Sequence, residues 1–405
     1  MRKVIGRAVD PLWLLINDSR FTGIMLIVCT IGSIFLANYH ESADAYKSIW
    51  AVQLFPSSFH LPETFISWIN NYMMAFFFMM AGMEIKRELI SGELSSLKKA
   101  ILPFGAALGG MIVPALIYVA FNAHTQYAKG WGIPTATDIA FSVGIASILG
   151  KRVPVGLKIL LMALAIIDDL GAIIVIALFY GGHLNWMFLG LAAALYGVII
   201  FLNYKKISSP FIWIVASLGL WFALYNSGVE ASIAGVLIAF AMPVDMLPKV
   251  EQRIHRYVNF LILPLFAFAN TAIILPNDVM GSFGSTLSLG IMFGLVIGKP
   301  IGIFLFSRVL VALKIASLPN KVQWKQLFGM GTLAGIGFTM SIFTTMLAFK
   351  QQEFQDIAKV SILASVLLSL ILSLVYFVAI NVKESIDHAP EKDKKIAGNT
   401  ALNIS

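Results

Sequence analysis

Residues 164–171 read Leu-Ala-Ile-Ile-Asp-Asp-Leu-Gly, so two adjacent carboxylates, Asp168 and Asp169, sit inside an apolar run from Leu157 to Phe179. About eleven apolar-dominated residues flank the pair on each side. At ~1.5 Å per residue this places it near the centre of a membrane-length helix. An acid at the bilayer centre costs ~2.5–3.5 kcal/mol even on lenient scales, so two together need a reason. Carboxylate oxygens bind hard cations and also bind protons, and in a low dielectric an empty anion favours taking up one or the other. Adjacent helical residues point ~100° apart, so a single partner cannot easily satisfy both. That spacing suits one carboxylate facing a cavity and the other facing a packed partner.

Only two other ionisable residues fall deep within apolar runs: Asp138 and Lys299. Both lie in or beside segments that resist forming straight helices. Asp138 follows Ile133-Pro134-Thr135-Ala136-Thr137, where proline removes a backbone donor and the hydroxyls of Thr135 and Thr137 offer replacement bonds. Residues 329–337 hold four glycines (Gly329, Gly331, Gly335, Gly337) ahead of Phe338-Thr339-Met340-Ser341. Broken helices are tolerated at membrane depth where protein or a watery cavity satisfies the loose backbone groups, and paired interruptions point to a transporter binding site. The free ends carry about half a charge each, which Asp138 suits at N-termini and Lys299 at C-termini. Lys299, followed by Pro300, suits equally a pairing with Asp168 or Asp169, or a path to the nearer surface. Glu84 and Glu230 lie near span ends, and the run Glu84-Ile85-Lys86-Arg87-Glu88 also fits a solvated helix end.

The elements that must position these groups are membrane spans. The chain has 405 residues, 59% of them hydrophobic and 12% charged, against roughly 25% charged in a soluble domain. Apolar runs fall near 21–37, 64–83, 100–121, 133–149, 157–179, 186–202, 210–225, 229–244, 257–275, 287–306, 327–348 and 359–380. This predicts an all-α polytopic membrane protein of twelve spans, the fourth and eleventh discontinuous. An amphipathic segment is expected over 1–20, a single transport domain over 21–381 and a charged tail over 382–405. Of 29 Lys and Arg residues, 24 lie on the side of the termini, 4 on the other side, and Lys299 within a span. That asymmetry predicts cytoplasmic termini and explains the net charge of +8 without nucleic acid. The single cysteine, Cys29, excludes a disulfide framework or CxxC metal site, and the six histidines fall outside the apolar runs or in the tail. The first apolar run lacks a small-residue cleavage site, so no cleavable signal peptide is expected.

The stretches Ala163–Ala172, Thr135–Phe141, Leu263–Asn270, Gly298-Lys299-Pro300 and Gly335–Phe343 together resemble the bacterial NhaA-type sodium/proton antiporter family. The resemblance spans about residues 10–385. It implies a non-enzymatic, cofactor-free exchange of cytoplasmic Na⁺ or Li⁺ for protons in the inner membrane, serving pH and sodium homeostasis. It also implies an inverted-repeat architecture, a known property of that family rather than something the weak internal symmetry here establishes. By the same resemblance Asp169 is the ion ligand and proton carrier, and Asp168 its partner, salt-bridged to Lys299 in one state. Asp138 and Thr137 fall at the crossing of the broken helices. Glu84, Arg87, Glu88, Glu251 and His255 match a cytoplasmic pH-response cluster, and residues 40–62 occupy the place of a dimerising β-hairpin. Two residues depart from the family pattern: Asn71 stands where Asp is usual, and Glu230 where His is usual, which makes Glu230 a further pH-response candidate.

Two other classes share some of these residue features. An intramembrane aspartyl protease also buries two aspartates, but from different helices and with a Gly-x-Gly-Asp context that is absent here. A proton-coupled carrier of another solute would need an additional polar or aromatic pocket, for which no motif argues.

Overall fold

The computed structural model describes residues 19–207, 209–275, 281, 283–320 and 322–387. The expected amphipathic segment lies outside the described residues up to position 18, and so does the charged tail beyond 387. Among the described residues all regular elements are helical, apart from one isolated bridge between Gln53 and Thr64.

In chain order, α1 spans Ser19–Asn38 and is followed by α2, Ala43–Ala51. A turn at Phe65–Trp68 and a π turn at Ile69–Met73 lead into α3, Met74–Ser91. Then come α4 (Leu97–Asn122), a 3-10 segment at Ala128–Thr135, α5 (Ile139–Ile148), α6 (Val155–Phe179), α7 (Trp186–Tyr204) and α8 (Pro210–Ser227). The helices α9 (Ile233–Ala241), α10 (Leu247–Tyr257) and α11 (Leu263–Asn270) follow, then α12 (Thr286–Phe293) and α13 (Lys299–Ala312). The last three are α14 (Trp324–Ala334), α15 (Phe338–Ala348) and α16 (Gln352–Asp387).

Among the described residues seven helices are long and apolar enough to cross a bilayer, or nine if two bent pairs each count as one span. The remaining expected spans coincide with short or interrupted helices. The 229–244 run yields only α9, whose nine residues extend ~13 Å, and the chain bends by 110° after it. The 133–149 run divides between the 3-10 segment and α5. The surface fits a lipid environment: Ile24, Val28, Ile31 and Phe35, spaced three and four apart on α1, are all more than half exposed.

The 40–62 segment differs from the loop that its polar and aromatic composition suggests. It contains α2, because Tyr46 and Trp50 fall one helical turn apart and bury together. The Tyr46 hydroxyl donates to the Phe268 carbonyl at 2.8 Å, and Trp50 stacks on Phe65. The antiparallel bridge Gln53–Thr64 is the sole strand-like pairing among the described residues, flanked by bonds from the Leu54 N–H to the Glu63 carbonyl at 2.8 Å and from the Phe65 N–H to the Val52 carbonyl at 3.0 Å. At the other end of the chain, α16 starts seven residues before the expected run and continues to Asp387.

Local chemistry explains how the helices holding Lys299 and Asp138 approach so closely. Pro264 and Pro300 each follow a five-residue π turn, Val258–Ile262 and Gly294–Gly298. A proline lacks its N–H and crowds the carbonyl four residues back, and the wider π turn relieves both. On α4 and α13, Gly109 and Gly302 face each other so closely that a Cβ on Gly302 would lie 2.1 Å from the Gly109 carbonyl oxygen. Gly110 packs beside the Lys299 stem, its would-be Cβ 3.8 Å from Lys299 Cδ. The glycine crossing therefore lets the α13 backbone carry the lysine inward. Gly302→Val should overpack this crossing at a cost of roughly 1–3 kcal/mol or more. The thermal midpoint of the purified protein in detergent should fall, and an unchanged midpoint would refute the packing role.

Candidate functional site

Two breaks cross inside the protein. After the 3-10 segment, Ala136 and Asp138 are extended, and α5 starts at Ile139. Opposite, Gly335–Gly337 separates α14 from α15, which bend by 48°. The Asp138 N–H donates to the Ile336 carbonyl at 2.7 Å, joining the two breaks back to back. Gly337 is small for the same reason, since a Cβ there would meet the Ala136 carbonyl oxygen at 2.6 Å.

Both downstream helices begin at this crossing, so two positive N-terminal ends converge on one buried aspartate. Asp138 Oδ1 accepts from the Phe141 N–H at 3.1 Å, capping α5. Oδ2 accepts from the Thr339 N–H at 3.1 Å and the Thr339 hydroxyl at 2.6 Å, compensating α15. The sequence offers Thr339 only as part of the run after the glycines; its place as the second residue of α15 is what brings it to Asp138.

The sequence left Lys299 several possible partners, and the fold selects one. Lys299 is fully buried, and its ammonium donates to Asp168 Oδ2 and, at 2.6 Å, to Thr137 Oγ1. It neither reaches the surface nor caps a helix end directly. Thr137 Oγ1 stands 2.6 Å from Asp168 Oδ2 and 2.9 Å from the Ala334 carbonyl at the end of α14. Its one proton serves either acceptor, so the threonine links the ion pair to the negative end of the broken helix.

Asp169 has none of these partners. It is buried in the protein but makes no hydrogen bond or salt bridge among the described residues, and its carboxyl lines a cavity of about 270 Å³. Thr137, Asp138 and Thr339 share this cavity from the crossing, and Thr22, Phe77, Met80 and Met162 form other parts of its wall. Glu84 of α3, His255 of α10 and Asn259 in the π turn that follows also line it. The pair of aspartates is thereby split as their angular separation requires, one bonded and one open to the cavity.

The candidate pH-response residues divide into two places. Arg87 Nη1 donates to Glu251 Oε1 at 2.5 Å, and Arg87 Nη2 lies 3.9 Å from both Glu84 and Glu88. His255, one turn beyond Glu251, faces Asn259, whose amide nitrogen lies 2.9 Å from the ring Nε2. Glu230 is not in this cluster. It sits in the turn between α8 and α9, where its carboxyl lies 3.5 Å from the Ser232 N–H, at the opposite end of α8 from the Lys205-Lys206 loop. Asn71, the other departure, donates to the Ser67 carbonyl at 2.9 Å within its own helical turn.

Comparison with known proteins gives the family. The profile of the Na⁺/H⁺ antiporter 1 family matches residues 14–377. The chain belongs to this family. It is 47% identical over 336 residues to Na⁺/H⁺ antiporter NhaA 1 of Klebsiella pneumoniae, covering 81% of this chain and 85% of that one. Similarity to Na⁺/H⁺ antiporter NhaA of Vibrio alginolyticus is 46% over 351 residues, covering 84% and 90% respectively. Na⁺/H⁺ antiporter NhaA 2 of Flavobacterium johnsoniae matches at 44% over 360 residues, covering 87% and 88%. Family membership and the apolar helices make this chain a multi-pass membrane protein of the antiporter class.

The electrostatics of the crossing have a measurable consequence. Asp138→Ala leaves two helix N-termini without their counter-charge, at a cost of up to ~2 kcal/mol for each end. The purified variant should unfold several degrees below the parent in detergent, and an equal midpoint would show that Asp138 does not compensate the ends.

Proposed function

We propose that the chain is an electrogenic Na⁺(Li⁺)/H⁺ antiporter that works by alternating access at Asp169, with Asp168 and Lys299 as its switchable partners. One observation carries this reading: Asp169 faces the cavity without a cation partner, while the neighbouring Asp168 is held by Lys299. An enclosed carboxylate with no counter-ion is costly as a bare anion, so its stable states are the protonated and the cation-bound ones. Proton and Na⁺ compete for the same oxygens. In the first step the Asp169 carboxyl loses its proton through the cavity toward Glu84 and His255, and Na⁺ takes the vacated oxygens. Na⁺ wants further oxygen ligands, and Asp168 supplies them as Lys299 releases it. The loaded site then turns to the far side, exchanges Na⁺ for protons and returns.

Coupling follows from one rule: the site moves when protonated or cation-bound, and not when empty and charged. If two protons return for each Na⁺, one net charge moves and the membrane potential contributes ~2.3 kcal/mol per 100 mV. The second proton resides on Asp168 or Lys299 in this scheme. Glu84 and His255 line the cavity and Arg87 ties Glu84 and Glu88 to Glu251 on α10, so protonation in this cluster would alter the cavity wall, and this supports a pH-response role for Glu84, Arg87, Glu88, Glu251 and His255. Glu230 would respond, if at all, from the opposite side of the membrane.

The reading extends to one transport domain over 21–381 in a bacterial inner membrane, with twelve spans, discontinuous fourth and eleventh helices, and both termini in the cytoplasm. The distribution of basic residues supports the orientation. A homodimer through the 40–62 segment is supported by exposed apolar side chains there, including Ile49, Val52, Leu54 and Phe59.

Asp169→Asn should insert and fold yet abolish Na⁺-driven proton movement in proteoliposomes, read as dequenching of a trapped pH dye when Na⁺ is added. Parent-like dequenching in that variant would sink the scheme. Loss of dequenching with Na⁺ and Li⁺ in the parent itself, but not with another solute, would point to a different proton-coupled carrier.

A further inference from the structure

Besides Asp169, one polar side chain of the cavity wall makes no hydrogen bond or ion pair among the described residues. Thr22, in the first turn of α1, is only 2% exposed and lines the cavity together with Asp169, Asp138, Thr137 and Thr339. The turn lies deep in the protein: a Cβ on the next residue, Gly23, would stand 3.9 Å from the Ala140 carbonyl oxygen at the start of α5. Among the described residues the Thr22 hydroxyl has no hydrogen-bond partner. Nor is its oxygen sealed away like those of Ser307 and Ser369, which are enclosed without a partner. Thr30, two turns later in the same helix, shows the ordinary alternative, donating to the Leu26 carbonyl four residues back at 2.8 Å. Because Thr22 lines the cavity, that is where its hydroxyl can find a partner.

A buried hydroxyl without a bond is destabilising, so its partner must come from the cavity contents. A hard alkali cation takes neutral oxygens alongside carboxylates. We propose that Thr22 Oγ1 is an oxygen ligand of the transported cation, adding from α1 to the coordination that Asp169 begins, and that it helps set alkali-cation specificity. This rests on the reading of Asp169 given above. A neutral hydroxyl attracts a cation but offers little to a proton in competition with a carboxylate. Thr22 thus tilts the contest at Asp169 toward the cation without altering the proton-carrying group.

The test is exchange by the full-length protein in proteoliposomes at one fixed pH, with NaCl and LiCl titrated separately. Thr22→Val keeps the side-chain shape and removes the oxygen, and Thr22→Ser keeps the oxygen. Loss of one neutral ligand should raise the KM for Na⁺ about fivefold or more, with the maximal rate at saturating Na⁺ changed less than about twofold. The Na⁺-to-Li⁺ KM ratio should also shift, and Thr22→Ser should restore both parameters. Parent-like KM values for both ions in Thr22→Val would overturn the proposal. Equal impairment in Thr22→Val and Thr22→Ser would overturn it as well, because shape rather than the oxygen would then matter. Should Thr22→Val fail to insert, Thr22→Ala removes the same oxygen with less bulk and is judged by the same criteria. Failure of the underlying reading looks different: Asp169→Asn would then retain exchange, whatever Thr22 does.

Discussion

Lys299 has one ammonium and two neighbouring aspartates within the same buried region, and the structure gives it to Asp168 alone. That single pairing leaves Asp169 as an enclosed acid with no fixed counter-charge, facing a cavity instead of a side chain. In soluble proteins such a group is usually paired or displaced to the surface, because an isolated buried charge is strongly unfavourable. Here the imbalance is the basis of the proposed chemistry. In that proposal the carboxyl holds either a proton or a cation and exchanges one for the other.

Holding that imbalance in place depends on backbone geometry more than on side-chain bulk. The Gly109–Gly302 contact brings α13 close to α4, and the π turn before Pro300 rotates Lys299 into the interior. The crossing of the two breaks places Thr137 against both the ion pair and the Ala334 carbonyl, so the ion pair is joined to the end of a helix dipole. Asp138, at the same crossing, is already committed to the N–H groups of Phe141 and Thr339. Both its oxygens thus have donors, whereas Asp169, the other aspartate in the cavity wall, has none among the described residues.

Much of this was legible in the sequence because charge is rare in it. With so few ionisable residues in the apolar runs, Asp138, Asp168, Asp169 and Lys299 stood out, and the proline and glycines marked the interruptions beside them. The choice among partners for Lys299 was not legible, since residue spacing along α13 says nothing about which face of α6 it meets. Glu230 looked like part of one pH-response set with Glu84 and His255, but α8 and α9 carry it to the opposite end of the bundle. The helix at Ala43–Ala51 was hidden by short polar residues, and its cause, Tyr46 and Trp50 docking against Phe268, is tertiary. Thr22 carried no signal at all, because a threonine in an apolar run most often bonds to its own helix, as Thr30 does.

The central claim is that proton and Na⁺ compete for the carboxyl of Asp169. It is tested most directly by adding Na⁺ to purified protein in a weakly buffered detergent solution and recording the pH. The account predicts that Na⁺ binding releases protons, that the apparent Kd falls as pH rises, and that Asp169→Asn abolishes the release. Na⁺ binding with no proton release and a pH-independent Kd would contradict it.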